Sequence, residues 1–273
     1  MRTKSLLAFA ILIATTSASH AQRAPDLATL DRGDGITRIG LDMGLTLLDS
    51  PLYSAALRLE PYGQYVTNSG FGIYGAIPIA RTFGGGESPE PEDTFALGNL
   101  EIGGLYVIES DPRISWVFRG GLVAPTASEG RDELFTNFYA TWPRFTDLAL
   151  VVPDAFYVRL SVSPLIHVNK LFIRADLGID LGSDDAGFAD ELLRFNVGAG
   201  YDFGLVALGL ELVNTYSFDA FDSDENVEHV VAGTVRFMGE ALQPFLALGT
   251  PLDDAPRSEV SLFFAGGIQA VFR

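Results

Sequence analysis

The side chains able to do chemistry in this chain are a few histidines and a set of charged residues recurring at every second position of short segments. Beyond the first 21 residues only His167 and His229 supply an imidazole. His167 shares a two-residue period with Ser161 and Ser163. Residues four or six apart along an extended strand are roughly 13 to 20 Å apart, which is outside proton-transfer reach. The period also sets His167 near one end of its strand and His229 near the opposite end of another. A hydrolase would need a serine from a neighbouring strand, and no short run holds His and Ser together. The chain therefore reads as a non-enzyme. The glycine clusters Gly84-Gly85-Gly86, Gly103-Gly104, Gly120-Gly121 and Gly266-Gly267 do not sit in a strand-to-helix phosphate loop, so no cofactor is expected.

The charged residues carry more information. Arg119, Arg159, Arg174, Arg194 and Arg236 fall on the same face as Glu101, Asp176, Asp180, Asp202 and Glu211, joined by Arg38, Asp42, Arg58 and Glu60. The opposite face is apolar, as in Leu41, Met43, Leu45, Leu47, Trp116, Phe118, Leu122, Phe195, Val197, Leu208, Leu210, Phe264 and Ile268. The pattern is clearest from Leu171 to Leu181, where Arg174, Asp176 and Asp180 alternate with aliphatic residues. A water-filled interior lined by both signs of charge orients and selects small solutes. Carboxylates and guanidiniums in a small barrel can instead bridge across the lumen and fill it.

These charges need strands to hold them, and about twelve can be read at roughly ten-residue spacing. They fall near 37–48, 55–67, 71–82, 95–108, 114–124, 155–168, 171–182, 192–203, 205–217, 228–238, 243–249 and 259–272. Connections alternate between tight turns and mostly longer loops, and an even count leaves both ends on one side. The expected fold is all-β, a transmembrane antiparallel up-and-down barrel with short periplasmic turns and longer acidic outer loops. No run approaches the roughly 18 to 20 apolar residues of a transmembrane helix. Only closed ladders or helices satisfy backbone groups in lipid, so a membrane position requires a barrel. Periodicity alone does not separate this from a large soluble sandwich.

The ends support export to the outer membrane. Arg2 and Lys4 precede an apolar stretch from Leu6 to Ala14 and a small-x-small ending at Ser19-His20-Ala21, the pattern of a signal peptide cut before Gln22. Residues 22–35 read as a short periplasmic lead-in and 36–273 as one barrel domain. The last strand sets Val260, Leu262, Phe264, Ile268 and Phe272 on one face. It resembles the C-terminal signal read by the barrel assembly machinery, except that Arg273 follows the aromatic. Outer-membrane lipid is the expected surroundings. The absence of cysteine excludes a disulfide framework, and a net charge of −17 argues against nucleic acid.

The longest connection, 125–153, is not loop-like in composition. Thr126 and Glu129 have capping-box spacing. Leu134, Phe135, Phe138, Tyr139 and Trp142 then recur on one helical face ending at Pro143. Phe135, Phe138, Tyr139 and Trp142 could line the mouth or plug the lumen, or the helix could simply cover the rim. Acidic clusters at Glu87, Glu90, Glu92 and Asp93, at Asp184, Asp185, Asp190 and Glu191, at Asp219, Asp222, Asp224 and Glu225, and at Asp253 and Asp254 read as solvated loop charge. None has the spacing of a calcium loop, so no metal is assigned.

The stretch from Leu97-Gly98-Asn99-Leu100 to Tyr106, followed by a strand running to Leu122-Val123-Ala124-Pro125-Thr126, resembles the outer-membrane transporter family associated with meta-pathway degradation of phenols. The resemblance spans about thirty residues. It implies a barrel passing small, often apolar compounds, with no catalytic residue carried over. The leading expectation is a narrow passive channel for small-molecule solutes. The alternative is a closed structural or surface-interaction barrel, with an outer-membrane hydrolase a third reading.

Overall fold

The computed structural model describes residues 27–30, 32, 34–50, 52–84, 93–111, 113–183, 191–218 and 227–272. The signal segment and the acidic residues Glu87, Glu90, Glu92, Asp184, Asp185, Asp190, Asp219, Asp222, Asp224 and Glu225 lie outside them.

Alternation of apolar and polar residues builds twelve antiparallel strands among the described residues. They are β1 (Thr37–Leu48), β2 (Tyr53–Val66), β3 (Phe71–Ala76 continued by Ile79–Gly84), β4 (Phe95–Leu97 continued by Leu100–Asp111), β5 (Ile114–Ala124) and β6 (Phe156–Val168), followed by β7 (Leu171–Ser183), β8 (Leu192–Asp202), β9 (Val206–Ser217), β10 (Val227–Phe237), β11 (Leu242–Pro251) and β12 (Val260–Phe272). Each strand pairs with the next, and β1 pairs with both β2 and β12, which closes the sheet into a barrel with no edge.

Two strands expected to be continuous are interrupted. β3 breaks at Ile77-Pro78, where proline has no N–H to give a ladder. β4 breaks beside it at Gly98-Asn99. The Gly98 N–H donates to the Pro78 carbonyl at 2.8 Å and the Asn99 N–H to Leu150 at 2.7 Å, so both breaks serve the long connection.

Turns on one side are tight because their residues tolerate left-handed backbone. Gly70 (φ 85°), Asn169 (φ 58°) and Gly204 (φ 97°) turn β2 into β3, β6 into β7 and β8 into β9. The two-residue period sorts side chains by face: Leu210 is 64% exposed on the outer wall, while its neighbour Glu211 is 0% exposed inside.

Two segments depart from the expected layout by entering the barrel. The first is the described part of 22–35, which does not hang free as a lead-in. Leu27, Thr29 and Leu30 are fully buried in the interior, and a Cβ at Gly198 or Gly209 would collide with Leu27. The second is the connection after β5. Helix α1 (Arg131–Thr141) starts at Gly130 with no side-chain cap, and a kinked 3-10 stretch (Trp142–Leu150) continues it inward. Thr126 does not make the expected capping box. Its hydroxyl accepts the Leu100 N–H at 2.8 Å and so belongs to the barrel rim.

Candidate functional site

The interior is where the charged residues converge, and most are paired. Alternation on β2, β4, β6, β7 and β8 points Arg58, Glu60, Glu101, Arg159, Asp180 and Arg194 inward, each less than 9% exposed. Arg159 reaches Glu101 at 2.8 Å and Asp180 at 3.2 Å. Arg194 reaches the same Asp180 oxygen at 2.7 Å. These pairs span strands that are distant in sequence, so they brace the wall across the interior.

The inserted segments supply the missing charges. Asp147, at a non-helical kink of the 3-10 stretch, meets Arg144 at 2.7 Å, Arg58 at 3.1 Å and Arg159 at 3.4 Å. Burial works to raise its carboxyl, but Arg144, Arg159 and Arg58 outweigh that and hold it well below the ordinary carboxylate range. Arg32, in the N-terminal segment, meets Asp42 at 2.5 Å and Glu60 at 2.8 Å, and Arg58 also pairs with Glu60. Burial works to strip the proton from Arg32, while Asp42 and Glu60 outweigh it and keep the guanidinium charged.

The two insertions also hold each other. Arg144 donates to the carbonyls of Ala28 (3.2 Å) and Leu30 (3.4 Å), and Thr146 donates to Thr29 (3.3 Å). Glu211 accepts the backbone N–H groups of Ala28 (3.1 Å) and Thr29 (2.7 Å), and also takes the hydroxyl of Thr234. Pro143 lies against Gly44, where a Cβ would clash. The cavity left between Arg32, Glu60, Tyr74, Arg144 and Asp147 is about 10 Å³, room for roughly one water.

The connection is anchored at both ends by one buried amide. Asn99, 0% exposed, donates from its side chain to the carbonyls of Ala149 (3.3 Å) and Val152 (2.6 Å). Its oxygen accepts the Thr126 and Ala127 N–H groups, both at 2.8 Å. The Gly98-Asn99 and Pro125-Thr126 pairs that carry the family resemblance therefore form the joint of the inserted loop.

The other residues singled out from sequence are placed differently. Arg174 pairs with Asp176 at 2.9 Å on its own strand. Arg236 stacks over Phe245 at 4.5 Å. Arg119 is only partly buried; it stacks over Tyr74 at 3.8 Å and donates to the Arg32 carbonyl at 2.8 Å. Asp202 leaves the interior set, because its carboxylate accepts the Gly204 N–H at 2.6 Å and caps the turn.

The aromatic face of α1 does not enter as a unit. Trp142 is 2% exposed and stacks on Phe145 at 4.6 Å, whereas Phe135 is 37% exposed. Phe138 and Tyr139 are partly buried at the mouth, and the Tyr139 hydroxyl donates to Glu259 at 3.2 Å. Burial pushes that phenol up to about 12. The helix buries Thr136, Asn137, Ala140 and Thr141 instead, since what it packs against is the polar inner wall. His167 and His229 stand on separate strands, with His229 Nδ1 3.0 Å from Asp253.

Arg32, Arg144, Asp147 and Asn99 were not singled out from sequence. Arg144 and Asp147 sit inside an otherwise apolar run, the one signal that could have drawn attention to them.

No protein-family model matches the chain, and none of the curated proteins matches it in sequence. Solved structures do. An outer membrane channel from Pseudomonas putida F1 aligns at a TM-score of 0.62 with 13% identity, covering 94% of this chain and 100% of that one. The NanC porin aligns at 0.53 with 10% identity over 86% of this chain and 99% of its own. The KdgM porin, solved in complex with disordered oligogalacturonate, aligns at 0.52 with 12% identity and the same coverage. The chain thus has the fold of the outer-membrane β-barrel porins and channels. At these identities the likeness is one of architecture.

Proposed function

We propose that this protein is an outer-membrane β-barrel acting as a passive channel for small solutes, with a lumen that rests closed under its own two inserted segments. The observation that carries the reading is how the interior is filled. A solid barrel fills its lumen with side chains from its own strands. Here the interior is occupied by residues 27–34 and 142–150, held through hydrogen bonds and ion pairs centred on Asp147, Arg144 and Arg32. Those segments can leave without breaking one rung of the wall.

The export signal, the apolar outer face and the architecture support an outer-membrane position, with the last strand recognised by the assembly machinery. Once the segments withdraw, Arg159, Arg174, Arg194 and Arg236 set against Glu101, Asp176, Asp180 and Glu211 line the passage and set its selectivity. The resemblance around Asn99 extends the proposal to small apolar compounds of the meta-pathway kind. The second reading, a closed structural barrel, draws on the completeness of the ion-pair network.

Planar-bilayer recording of the refolded chain under a salt gradient tests the channel reading. Rare, small, ion-selective steps are expected from the intact chain, and frequent ones when 143–150 is replaced by a Gly-Ser linker. Silence from both folded proteins would favour the structural barrel.

A further inference from the structure

The wall has two gaps at one height. Between β6 and β7 the facing pairs run to Val162–Leu177 and resume at Leu165–Arg174, passing over Ser163 and Pro164 opposite Asp176 and Ala175. Between β8 and β9 they run to Arg194–Thr215 and resume at Val197–Leu212, passing over Phe195 and Asn196 opposite Val213 and Asn214. Asp176 and Asn196 face each other across β7 and β8, so the gaps are separated by a single strand pair.

Each gap has a chemical cause. Pro164 has no N–H to donate. At the second gap side chains replace the ladder: the Asn214 N–H donates to Asn196 Oδ1 at 2.9 Å, and Asn214 Nδ2 donates to the Phe195 carbonyl at 2.6 Å. An N–H requires an oxygen, so the Asn196 amide is oriented and its nitrogen is the end left over. That nitrogen has no partner among the described residues although Asn196 is 3% exposed, and the Ser163 hydroxyl, 0% exposed, has none either. Buried donors left unmade are costly.

Above the gaps the outer wall carries a groove of about 650 Å³ lined by Trp116, Pro164, Leu177, Phe195 and Leu212, with Asp176 and Asn196 contributing to its floor. We infer that this groove is a binding site within the wall for a small apolar alcohol. Its body lies against Trp116, Leu177 and Phe195. Its hydroxyl accepts from Asn196 Nδ2 and donates to the Asp176 carboxylate, which Arg174 keeps ionised from 3.0 Å. The inference rests on the outer wall facing lipid, as proposed above, and not on the interior opening; a silent bilayer recording leaves it intact.

Trp116 and Trp142 are the two tryptophans of the chain, so Trp142→Phe leaves one fluorophore, in the groove. The full chain in liposomes is titrated with para-bromobenzyl alcohol and with para-bromotoluene, which has the same body without the hydroxyl. Saturable quenching is expected, with about tenfold tighter binding of the alcohol, the worth of one good hydrogen bond. Asn196→Leu should erase that preference, and Ala175→Phe, which fills the groove from outside, should weaken both probes. Equal, non-saturable quenching of the parent by the two probes would show simple partitioning into lipid and overturn the site, whatever the folding of the variants. A preference that persists in folded Asn196→Leu would overturn it as well.

Discussion

The wall and the filling of this barrel are built on different physics. The wall closes through backbone hydrogen bonds between neighbouring strands, β1 to β12 included. Its geometry is set by a two-residue period written into every strand. The filling has almost no ladder and depends on guanidinium–carboxylate pairs between residues as far apart as Arg32 and Glu60 or Arg58 and Asp147. Buried ion pairs add little net stability over apolar packing, because desolvation offsets most of the attraction, yet removing one partner strands the other. A wall of this kind is permanent, whereas a filling of this kind is specific and removable. That difference is what a resting, closed channel requires.

The sharpest way to break the comparison is to remove the filling and keep the wall. Replacing 143–150 by a Gly-Ser linker should convert near-silence into frequent conductance steps while the far-ultraviolet circular dichroism stays that of a β-barrel. Loss of the β spectrum would mean that wall and filling are one unit. Asp147→Ala comes next, since it leaves Arg58, Arg144 and Arg159 without their shared carboxylate. About 3–5 kcal/mol of the filling's stability should go, read as protease cleavage of 125–153 at temperatures where the barrel is intact. Asn99→Ala should release the same segment more weakly, by about 1–3 kcal/mol, because it leaves buried donors and acceptors at both joints unmet. In the opened barrel, Arg174→Ala with Arg194→Ala should shift ion preference towards cations; unchanged reversal potentials would take those residues out of the pathway.

The smallest effect expected is that of mild acid. The Asp147 carboxyl is held below its ordinary range by Arg144, Arg159 and Arg58 against the pull of burial. A depressed folded-state value means that its contribution is complete above the unfolded value of about 3.9 and fades only as pH falls further. Open probability should therefore be flat from pH 8 to pH 5. A rise within that window would assign gating to some other group.

The same division explains what could be read from sequence. The twelve strands were legible because burial on one face repeats every two residues, as in Leu171 to Leu181, and that signal is local. Even the interruptions have local causes, in Pro78 and Asn99. The inward position of Glu101, Arg159, Arg174, Asp180, Arg194 and Glu211 followed from the same period. Their pairing did not follow, since Arg159 chooses among Glu101, Asp147 and Asp180 through contacts that join residues of different elements.

The filling was least legible. Segment 22–35 is short and polar, which signals a free tail when the interior is assumed apolar. In this barrel the interior is polar, and Glu211 meets the tail's backbone. For the same reason α1 buries Asn137 and Thr141 where an apolar face was expected, and leaves Phe135 outside. Hydrophobic periodicity identifies a helix, but its direction of burial inverts when the partner surface is charged.

The central claim, that the chain's own 142–150 segment closes the lumen, is tested most directly by fastening that segment in place. The protein has no cysteine, so Gly44→Cys with Pro143→Cys, a pair of residues in contact across the interior, introduces the sole disulfide. Single-channel current is recorded from one reconstituted population before and after reduction. The oxidised barrel should be silent and the reduced barrel should show discrete openings. Equal conductance in the two states would contradict the claim, because ions would then be passing with the segment still fixed inside.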